Sequence, residues 1–506
     1  MKSGYTDICA DKFLFFSRLS SAAVLILILT GGVGFFHGAM TERSCRTDLF
    51  VLLWMAETVI SFLFSIDRKT ALFGTDGWYM GLFTLGILGA LYFLISRLWK
   101  YSPMILYTAL AFSVPVYLLG ILDRFSIHLI QLELRDPSFI STLGNINWFM
   151  GYYSVLTAAG AGLLIAESKR NGSGKGTGLK TVLLSAWMVI AFAAGFAQGS
   201  DSVLLFFGAL FAGSVLFYPE GAGEEGTFSG KIRAFLLLFL LFCTGASIIR
   251  LMRLLLPGYN YDSSGLLSRI TEGPLPFILL LSGLILFILS RFLSGKTGEK
   301  MKTDRRLFLI LLILPFFFWL ATALLHTKAG LFPNLPDDLF LLDPHFGSGR
   351  GEAFRAALLT WWNLPLVNRL FGAGPDCFMT AAYSTVPLAG ELTVFWPDDL
   401  LTNAHCEPLT VLVNGGIAGL ICFYGMLFSV FFRDDPAGDD SVREDPDGDD
   451  TGSVLRLAVF CYMIHNLISF ATILNLPFLM MLMAMYRSGK TGRHTQEIRN
   501  SGHPLF

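Results

Sequence analysis

The chain has 506 residues, of which 54% are hydrophobic and 15% are charged, whereas about a quarter are charged in an ordinary soluble domain. Its net charge of −1 gives no reason to expect a polyanionic partner such as nucleic acid, and its seven cysteines lack the paired spacing of a disulfide framework or a zinc site. The hydrophobic residues come in blocks, and about 20 consecutive apolar residues form a helix that crosses a bilayer. The sequence therefore predicts an all-α polytopic membrane protein.

The apolar blocks predict about 13 membrane-spanning helices, or 12 if one pair is fused. In chain order they lie near residues 16–37, 48–66, 78–96, 103–122, 146–166, 179–198, 202–218, 234–256, 275–294, 306–326, 408–431, 454–470 and 474–487. No small-residue cleavage site follows the first block, so we expect a retained span and not a signal peptide.

Lysine and arginine are concentrated in two loops, 167–180 and 291–306, which the positive-inside rule assigns to the cytoplasm. Counting spans onward from these loops puts the polar segment 328–402 outside. Counting backward puts the N-terminus outside as well, although it carries Lys2, Lys12 and Arg18. The two counts conflict, which indicates one miscounted span before residue 100.

This orientation divides the chain into four parts. They are N-terminal transmembrane helices (1–327), one large extracytoplasmic loop (328–402), C-terminal transmembrane helices (403–487) and a cytoplasmic tail (488–506). The acidic segment 433–453 interrupts the C-terminal helices. It lacks the regular spacing of a calcium loop, so we expect a solvated cytoplasmic linker.

The segment 328–402 is long for a simple connection, and loops of this length tend to be functional. Within it the pattern predicts an amphipathic helix from about Glu352 to Trp362, with the tryptophans suited to a membrane interface. Arg350, Arg355 and Arg369 make this surface positive. They either extend along apolar surface towards water or bind an anionic ligand such as a diphosphate, which the planar guanidinium suits.

Several stretches resemble the O-antigen ligase and polymerase family of bacterial membrane proteins. The strongest are "GRGEAFRAALLTWW" and "PLVNRLFGAGPDCF", followed by "AHCEPLTVLVNGGIAGL", in which a histidine opens a late span and a glycine pair follows. "STLGNINWFMGYY" resembles the family's asparagine-bearing segment, and "SIDRKTALFGTDGWYMGL" resembles its segment before an early span. The resemblance covers about residues 60–487 and is strongest over 347–420.

The sequence also departs from the family pattern. Cys406 follows the histidine where asparagine is usual, and Trp78 or Tyr79 stands where an arginine is frequent. The stretch "AQGSDSV" has no arginine, although some members carry one there. Diphosphate binding would therefore depend more heavily on Arg350 and Arg355.

The resemblance implies a GT-C-like glycosyltransferase in the bacterial inner or plasma membrane that assembles a cell-surface polysaccharide, for example lipopolysaccharide. Its donor would be a glycan on a polyprenyl diphosphate such as undecaprenyl diphosphate, and its acceptor a hydroxyl of a lipid, a glycan or a protein. The family is thought to need no metal or other cofactor. Ligase and polymerase share one signature, so that choice stays open. The expected substrate-binding residues are Arg350, Arg355, Glu407, Asn145 and Asn147.

His405 is the expected catalytic base. An acceptor hydroxyl is a poor nucleophile, and histidine is the side chain whose unperturbed pKa, about 6.5, suits proton removal near neutral pH. Pro408 favours the first turn of a helix, so the span should begin near Glu407 with His405 at the outer boundary. The plainer interpretation is a histidine that only caps a span.

Three further features of this stretch have open interpretations. Glu407 either orients His405 or caps the helix. Gly415, Gly416 and Gly419 are expected to permit close helix packing rather than ligand contact. A disulfide between the cysteines at 377 and 406, both expected outside, is a minor alternative.

Two other classes fit a polytopic chain. A transporter or lipid flippase would show internal repeats and ionisable residues in the middle of spans, whereas here no clear repeat is visible and the charges concentrate in loops. A peptidoglycan glycosyltransferase also combines about ten spans with a large outer loop, but its recognised motifs are not visible here.

Overall fold

The computed structural model of the protein describes residues 5–41, 45–98, 102–130, 139–171, 178–219, 228–256, 258–259, 266–293, 318–329, 340–432 and 446–500. Over these ranges the chain is helical almost throughout. Two short strands, β1 (Phe139–Ile140) and β2 (Gly144–Asn145), pair antiparallel ahead of a long helix.

The helices, numbered in chain order, are α1 (Tyr5–Thr41), α2 (Arg46–Leu63), α3 (Arg68–Phe73), α4 (Leu82–Leu98), α5 (Met104–Arg124), α6 (Ile146–Asn171), α7 (Leu179–Ala197), α8 (Ser202–Leu216), α9 (Phe228–Leu255), α10 (Leu266–Glu272), α11 (Leu275–Leu293), α12 (Phe346–Asn363), α13 (Leu366–Phe371), α14 (Phe378–Ser384), α15 (Val386–Phe395), α16 (Glu407–Ser429), α17 (Pro446–His465) and α18 (Leu476–Asn500). Residues 318–329 are also helical.

Six described helices are long and apolar enough to cross a membrane: Ala10–Thr30, Met104–Arg124, Ile146–Arg170, Leu179–Ala197, Gly230–Leu255 and Glu407–Ser429. Five shorter apolar helices accompany them: Leu82–Leu98, Ser202–Leu216, Leu275–Ser290, Val386–Phe395 and Thr451–His465. The predicted span 48–66 corresponds to α2, which is less apolar because it carries three charged residues, Arg46, Asp48 and Glu57. The protein thus has the all-α organisation of a multi-pass membrane protein.

Some predicted segments fall partly outside the described residues. These are the basic loops over 172–177 and 294–306, the span at 306–326 up to residue 317, and the large loop over 330–339. The acidic linker as far as residue 445 and the tail beyond residue 500 also lie outside the described residues. The rest of that linker is already helical, because α17 begins at Pro446, and proline suits the first turn of a helix. The predicted tail is helical to Asn500, as a continuation of α18.

The packing joins helices from opposite ends of the chain. The long helix α6, almost entirely buried, packs on α17, while α2 packs on α16 and α4 on α18. A buried charge cluster joins α2, α4 and α18. The Asp48 carboxylate of α2 lies 2.7 Å from Arg97 of α4 and 3.2 Å from Arg487 of α18. Early and late helices therefore form one structure.

The helix α16 is interrupted at Gly416, and the loop segment 372–374 packs against α16 beside this break. Gly416 has φ +66°, which interrupts the helix and frees backbone carbonyls above it. The carbonyl of Val413 accepts from Ala373 N at 2.8 Å, and that of Asn414 accepts from Gly374 N at 3.1 Å. Within a membrane such freed groups need partners from the protein itself. The segment 372–374 provides these partners. At 1.5 Å per residue, the two carbonyls lie about 10 Å along α16 from its first residue.

The large loop predicted at 328–402 is described from residue 340 onward, and this part holds four helices, α12 to α15. The amphipathic helix expected at 352–362 lies within α12, and its buried face is small and apolar because Ala353, Ala356 and Ala357 recur at helical spacing. This face packs with Phe378 in a second apolar core, separate from the main helix core. The loop is therefore a folded cap beside the start of α16.

Candidate functional site

Arg350 enters the site from a left-handed turn. Gly347, Ser348 and Gly349 have φ of 58°, 64° and 90°, so the chain reverses here before α12 continues. The Arg350 side chain donates from Nε to Ile468 O at 3.2 Å and from Nη1 to Gly347 O at 2.5 Å. Among the described residues no carboxylate forms an ion pair with it. Burial lowers the pKa of this guanidinium, yet it remains a cation without a counter-charge.

His405 lies near Arg350, and both contact the segment 468–470. Its own backbone is left-handed, with φ 49°, and its N–H donates to the Asn403 side-chain oxygen at 2.9 Å. The imidazole packs edge-on against Phe470, with 5.5 Å between ring centroids. Because Ile468 holds Arg350 and Phe470 holds His405, the segment 468–470 brings the two predicted site residues together.

The surroundings keep the His405 imidazole neutral. Burial, and secondly the positive charge of Arg350, lower the pKa of His405 to about 4. Within the described residues neither ring nitrogen makes a hydrogen bond, so both are open to a ligand. The ring is therefore a neutral proton acceptor at pH 7, although a weaker base than an unperturbed histidine.

Glu407 takes neither of the two roles considered for it. Its side chain accepts from Ala471 N, and its backbone N–H donates to Asn466 O at 2.8 Å. Among the described contacts it makes none to the His405 ring, and Cys406 occupies the cap position of α16 without a side-chain cap bond. Glu407 instead ties the start of α16 to the segment 466–471 and faces a cavity.

This cavity is partly open to solvent and has a volume of about 90 Å³. Among the described residues, three carboxylate side chains line it, those of Glu57, Asp376 and Glu407. Its aromatic lining comes from Trp54, Trp78, Phe423 and Phe470. Phe470 lines the cavity and packs against the His405 ring, and Asn403 both lines the cavity and accepts from the His405 backbone. The cavity and the imidazole therefore share a wall.

Glu57 and Asp376 are functional candidates that the sequence analysis missed. Glu57 is a buried carboxyl of α2, and its Oε1 has no hydrogen-bond partner in the described structure. The Asp376 carboxylate accepts from Thr75 N at 2.8 Å and from Met80 N at 3.0 Å. Burial raises the pKa of Asp376 to about 7, and these two bonds offset only part of the rise. An ionisable residue in the middle of the predicted span 48–66 is the sequence signal for Glu57.

The glycines of α16 do two different things. A Cβ on Gly415 or on Gly419 would lie 3.1 Å from Glu57 Oε1, so these two glycines leave room for that carboxyl between α2 and α16. The sequence predicts close helix packing at these glycines, and in the structure this packing surrounds the Glu57 carboxyl group. Gly416 instead supplies the positive φ of the helix break.

Arg355 differs from Arg350 because its charge is already paired with carboxylates. Its guanidinium pairs with Glu352 and with Glu391, and both carboxylates raise its pKa. Two counter-charges leave little attraction for a further anion. Arg369 lies 5.0 Å over the Trp362 ring, so the interfacial interpretation suits it. Of the three loop arginines, Arg350 has the environment of an anion-binding residue.

The expected asparagines lie at the start of α6. The Asn145 side-chain oxygen accepts from Asn147 N at 2.7 Å, which is a local turn bond. Neither residue lines the cavity. The next residue, Trp148, packs edge-on against Trp78, and Trp78 packs in the same way against Phe470. This segment therefore reaches the site through aromatic packing rather than through its amides.

Cys377 and Cys406 do not form a disulfide. Cys377 and Cys406 are both free thiols and both buried. Burial raises the pKa of Cys377 to about 12 and that of Cys406 to about 11, so neither forms a thiolate at neutral pH.

Comparison of the sequence with models of protein families and with characterised proteins gives no match.

Proposed function

We propose that this protein is a membrane glycosyltransferase that moves a glycan from a polyprenyl-diphosphate carrier to an acceptor hydroxyl, in the manner of an O-antigen ligase or polymerase. The observation that carries the proposal is the pairing of a neutral His405 with an Arg350 that lacks a counter-charge, at the end of the apolar helix α16. A base beside an anion site at a membrane boundary is what a lipid-diphosphate donor requires.

In the proposed reaction the acceptor oxygen bonds to the anomeric carbon while the bond from that carbon to the diphosphate oxygen breaks. The electron pair leaves with the diphosphate, whose charge Arg350 stabilises. The hydroxyl proton passes to His405, and attack opposite the leaving group inverts the anomeric centre. The diphosphate is already a good leaving group, so a positive clamp contributes more here than a general acid.

Donor binding would also strengthen the base. Arg350 disfavours the imidazolium form of His405, and an anion on Arg350 offsets that effect. The imidazole is then weakly basic in the empty site and more basic once the diphosphate is bound. This order suits a transferase, because proton removal becomes favourable only when the donor is in place.

The proposal extends to a GT-C-like architecture, to the outer face of a bacterial inner or plasma membrane, and to cell-surface polysaccharide assembly. Supporting features are the apolar helices and the folded cap formed by α12 to α15 beside the start of α16. The acceptor would be a lipid, a glycan or a protein, and no metal or other cofactor is proposed.

A transporter or flippase of lipid-linked oligosaccharide is the second candidate. The observation that favours it is Glu57, an ionisable residue buried in α2 and facing a cavity, as substrate pathways in membranes often have. In this interpretation the cavity is a passage for the glycan and His405 has no chemical role.

One assay separates the two candidates. Purified protein is reconstituted in vesicles that hold a polyprenyl diphosphate carrying a labelled oligosaccharide, together with an acceptor glycolipid. A transferase converts the label to a new product and releases polyprenyl diphosphate. A transporter moves the label to the opposite leaflet with the donor intact. Leaflet exchange without any product would overturn the proposed transferase.

A further inference from the structure

The cavity beside His405 has several hydrogen-bond acceptors and four aromatic rings among its lining residues. Its acceptors are the carboxylates of Glu57, Asp376 and Glu407 and the side-chain oxygen of Asn414. Arg350, the cation of the site, does not line it. A diphosphate would be repelled from these walls, so the cavity suits a different part of the reaction than Arg350 does.

Two of these acceptors are left without partners. Glu57 exposes only 6% of its surface, yet its Oε1 has no hydrogen bond in the described structure. The side-chain oxygen of Asn414 is likewise buried and unpaired. A buried acceptor without a donor costs about 1–3 kcal/mol, so such groups usually meet water or a ligand. Both residues line the cavity, where a ligand with several donors would satisfy such oxygens.

The arrangement does not suit a metal ion. Among the described residues no three histidine, cysteine, aspartate or glutamate side chains are grouped closely enough to bind one. Glu57 lies against Gly415 and Gly419, whereas Glu407 begins the same helix. Eight helical positions from residue 407 to 415 correspond to about 12 Å, far more than a cation–oxygen bond spans. The acceptors instead line an extended wall.

Hydroxyl groups on a ring match that wall. Sugar hydroxyls donate to carboxylate and amide oxygens, and the C–H faces of a sugar pack against aromatic rings, of which Trp54 and Trp78 are two. Trp78 is also held edge-on by Trp148 and Phe470, with centroid distances of 5.2 and 4.9 Å. These contacts fix the ring before any ligand arrives.

We infer that the cavity is the binding site of the acceptor's sugar, with Glu57 and Asn414 accepting hydrogen bonds from its hydroxyls and the wall at Phe470 directing one hydroxyl towards His405. This inference rests on the proposed transferase function and divides its substrates between two places. The donor diphosphate binds at Arg350, and a neutral or hydroxyl-rich acceptor sugar binds in the acidic cavity. Glu57 is a binding residue in this scheme and takes no proton from the acceptor.

A labelling experiment tests the site without any glycosyl transfer. A membrane-permeant carbodiimide modifies carboxyl groups in apolar surroundings, and peptide mass spectrometry measures the adduct at Glu57 in nanodisc-embedded protein. Methyl hexosides, at concentrations up to roughly 100 mM because single sugars bind weakly, should protect Glu57 at least about threefold. Inorganic pyrophosphate should leave it unprotected. Equal protection by pyrophosphate, or none by the hexosides, would overturn the inference.

Kinetics test the same assignment in the working enzyme. Glu57→Gln should raise the KM for the acceptor about 10-fold or more, the range for losing a hydrogen bond to a charged acceptor, and leave the donor KM unchanged. Gly419→Ala presses a Cβ against the carboxyl at 3.1 Å and should act in the same direction. Glu167→Gln, a partly buried carboxyl bonded to Tyr107, is the matched control and should change neither constant.

The outcomes also separate the inference from the proposed function. Hexoside protection of Glu57 in a protein that transfers nothing would retain the sugar site and reject the transferase. Transfer activity with an unchanged acceptor KM in folded Glu57→Gln would reject the sugar site alone. Glu57→Asp, which keeps the charge on a shorter side chain, gives a second variant if Glu57→Gln does not fold.

Discussion

The Nε of Arg350 donates to Ile468 O, two residues before Phe470, whose ring packs against the His405 imidazole. Arg350 and His405 are 55 positions apart in the chain, and the short segment 468–470 contacts both side chains. Any displacement of the segment 468–470 therefore changes the cation and the base together.

His405 is expected to be essential for transfer. His405→Ala should reduce transfer about 10²–10⁴-fold, the usual contribution of a positioned proton acceptor. His405→Gln keeps hydrogen-bonding capacity and cannot take up a proton, so it should be as slow. The measurement is donor consumed per unit of folded protein, checked by gel filtration. Near wild-type turnover in His405→Gln would make it a positioning residue only.

The three loop arginines should separate by function. Arg350→Ala should raise the donor KM strongly, and Arg350→Lys should restore little because lysine lacks the planar donor fork. Arg355→Gln should leave the donor KM unchanged, because its charge is already paired with Glu352 and Glu391. Initial rates against donor concentration measure both. A larger effect at Arg355 than at Arg350 would contradict the assignment.

The acid limb of transfer should lie near pH 4 rather than near 6.5. His405 is neutral down to about pH 4, because burial and the Arg350 charge disfavour its protonated form. Removing that charge in Arg350→Gln raises the pKa, so the limb should move to higher pH. The measurement is kcat/KM from about pH 3 to about pH 8, which extends below the expected limb. The same pH profile is measured in Asp376→Asn as a control, because this variant lacks the carboxyl group that titrates near pH 7. A wild-type limb at pH 6.5 would show that His405 is not the buried group described here.

Asp376 should make stability depend on pH. Its folded pKa, about 7, lies above the ordinary value of 3.8, so it favours the folded state fully below pH 4. That contribution is lost as the pH rises towards 7. Asp376→Asn should remove this part of the dependence. Thermal midpoints from tryptophan fluorescence between pH 5 and pH 8 give the difference between the two proteins, and an unchanged profile in Asp376→Asn would refute the prediction.

The break in α16 should not tolerate side chains. A Cβ on Gly372 would lie 2.0 Å from Asn414 O, and one on Gly416 would lie 2.4 Å from Leu370, both at positive φ. Gly372→Ala and Gly416→Ala should each cost about 4 kcal/mol or more, from overpacking and backbone strain. Gly86→Ala, in a helix and with nothing within 4 Å, is the matched control. The readout is the yield of monodisperse protein, and equal yields for all three would contradict the structure.

The sequence is most informative about the helices. Uniform apolar blocks predict spans because the bilayer demands them, and the described helices follow most of these blocks. The pairing of Arg355 with Glu352 is also readable, since residues three apart share a helix face. Its second partner, Glu391, comes from another helix of the cap and has no such signal.

The site itself is less predictable from sequence. His405 and Arg350 were singled out through a family resemblance, and no spacing rule says that they meet. Asp376 lies in a turn, where an aspartate is ordinary, and only the approach of Thr75 and Met80 buries it. Gly416 looks like its neighbours in sequence, yet its φ, not its size, determines its role.

The contact between α2 and α16 can form only late in synthesis, because the two helices lie far apart in the chain. Ser61 of α2 donates to Asn414 O of α16 across 353 positions of chain. At a synthesis rate of about 5–20 residues per second, α2 emerges roughly 20–70 s before the helix that covers it. During that interval Glu57 lies in a nascent helix with no glycines opposite it. An unpartnered carboxyl in lipid is costly, so this early helix depends on an insertase, on water or on a bound proton until translation reaches α16.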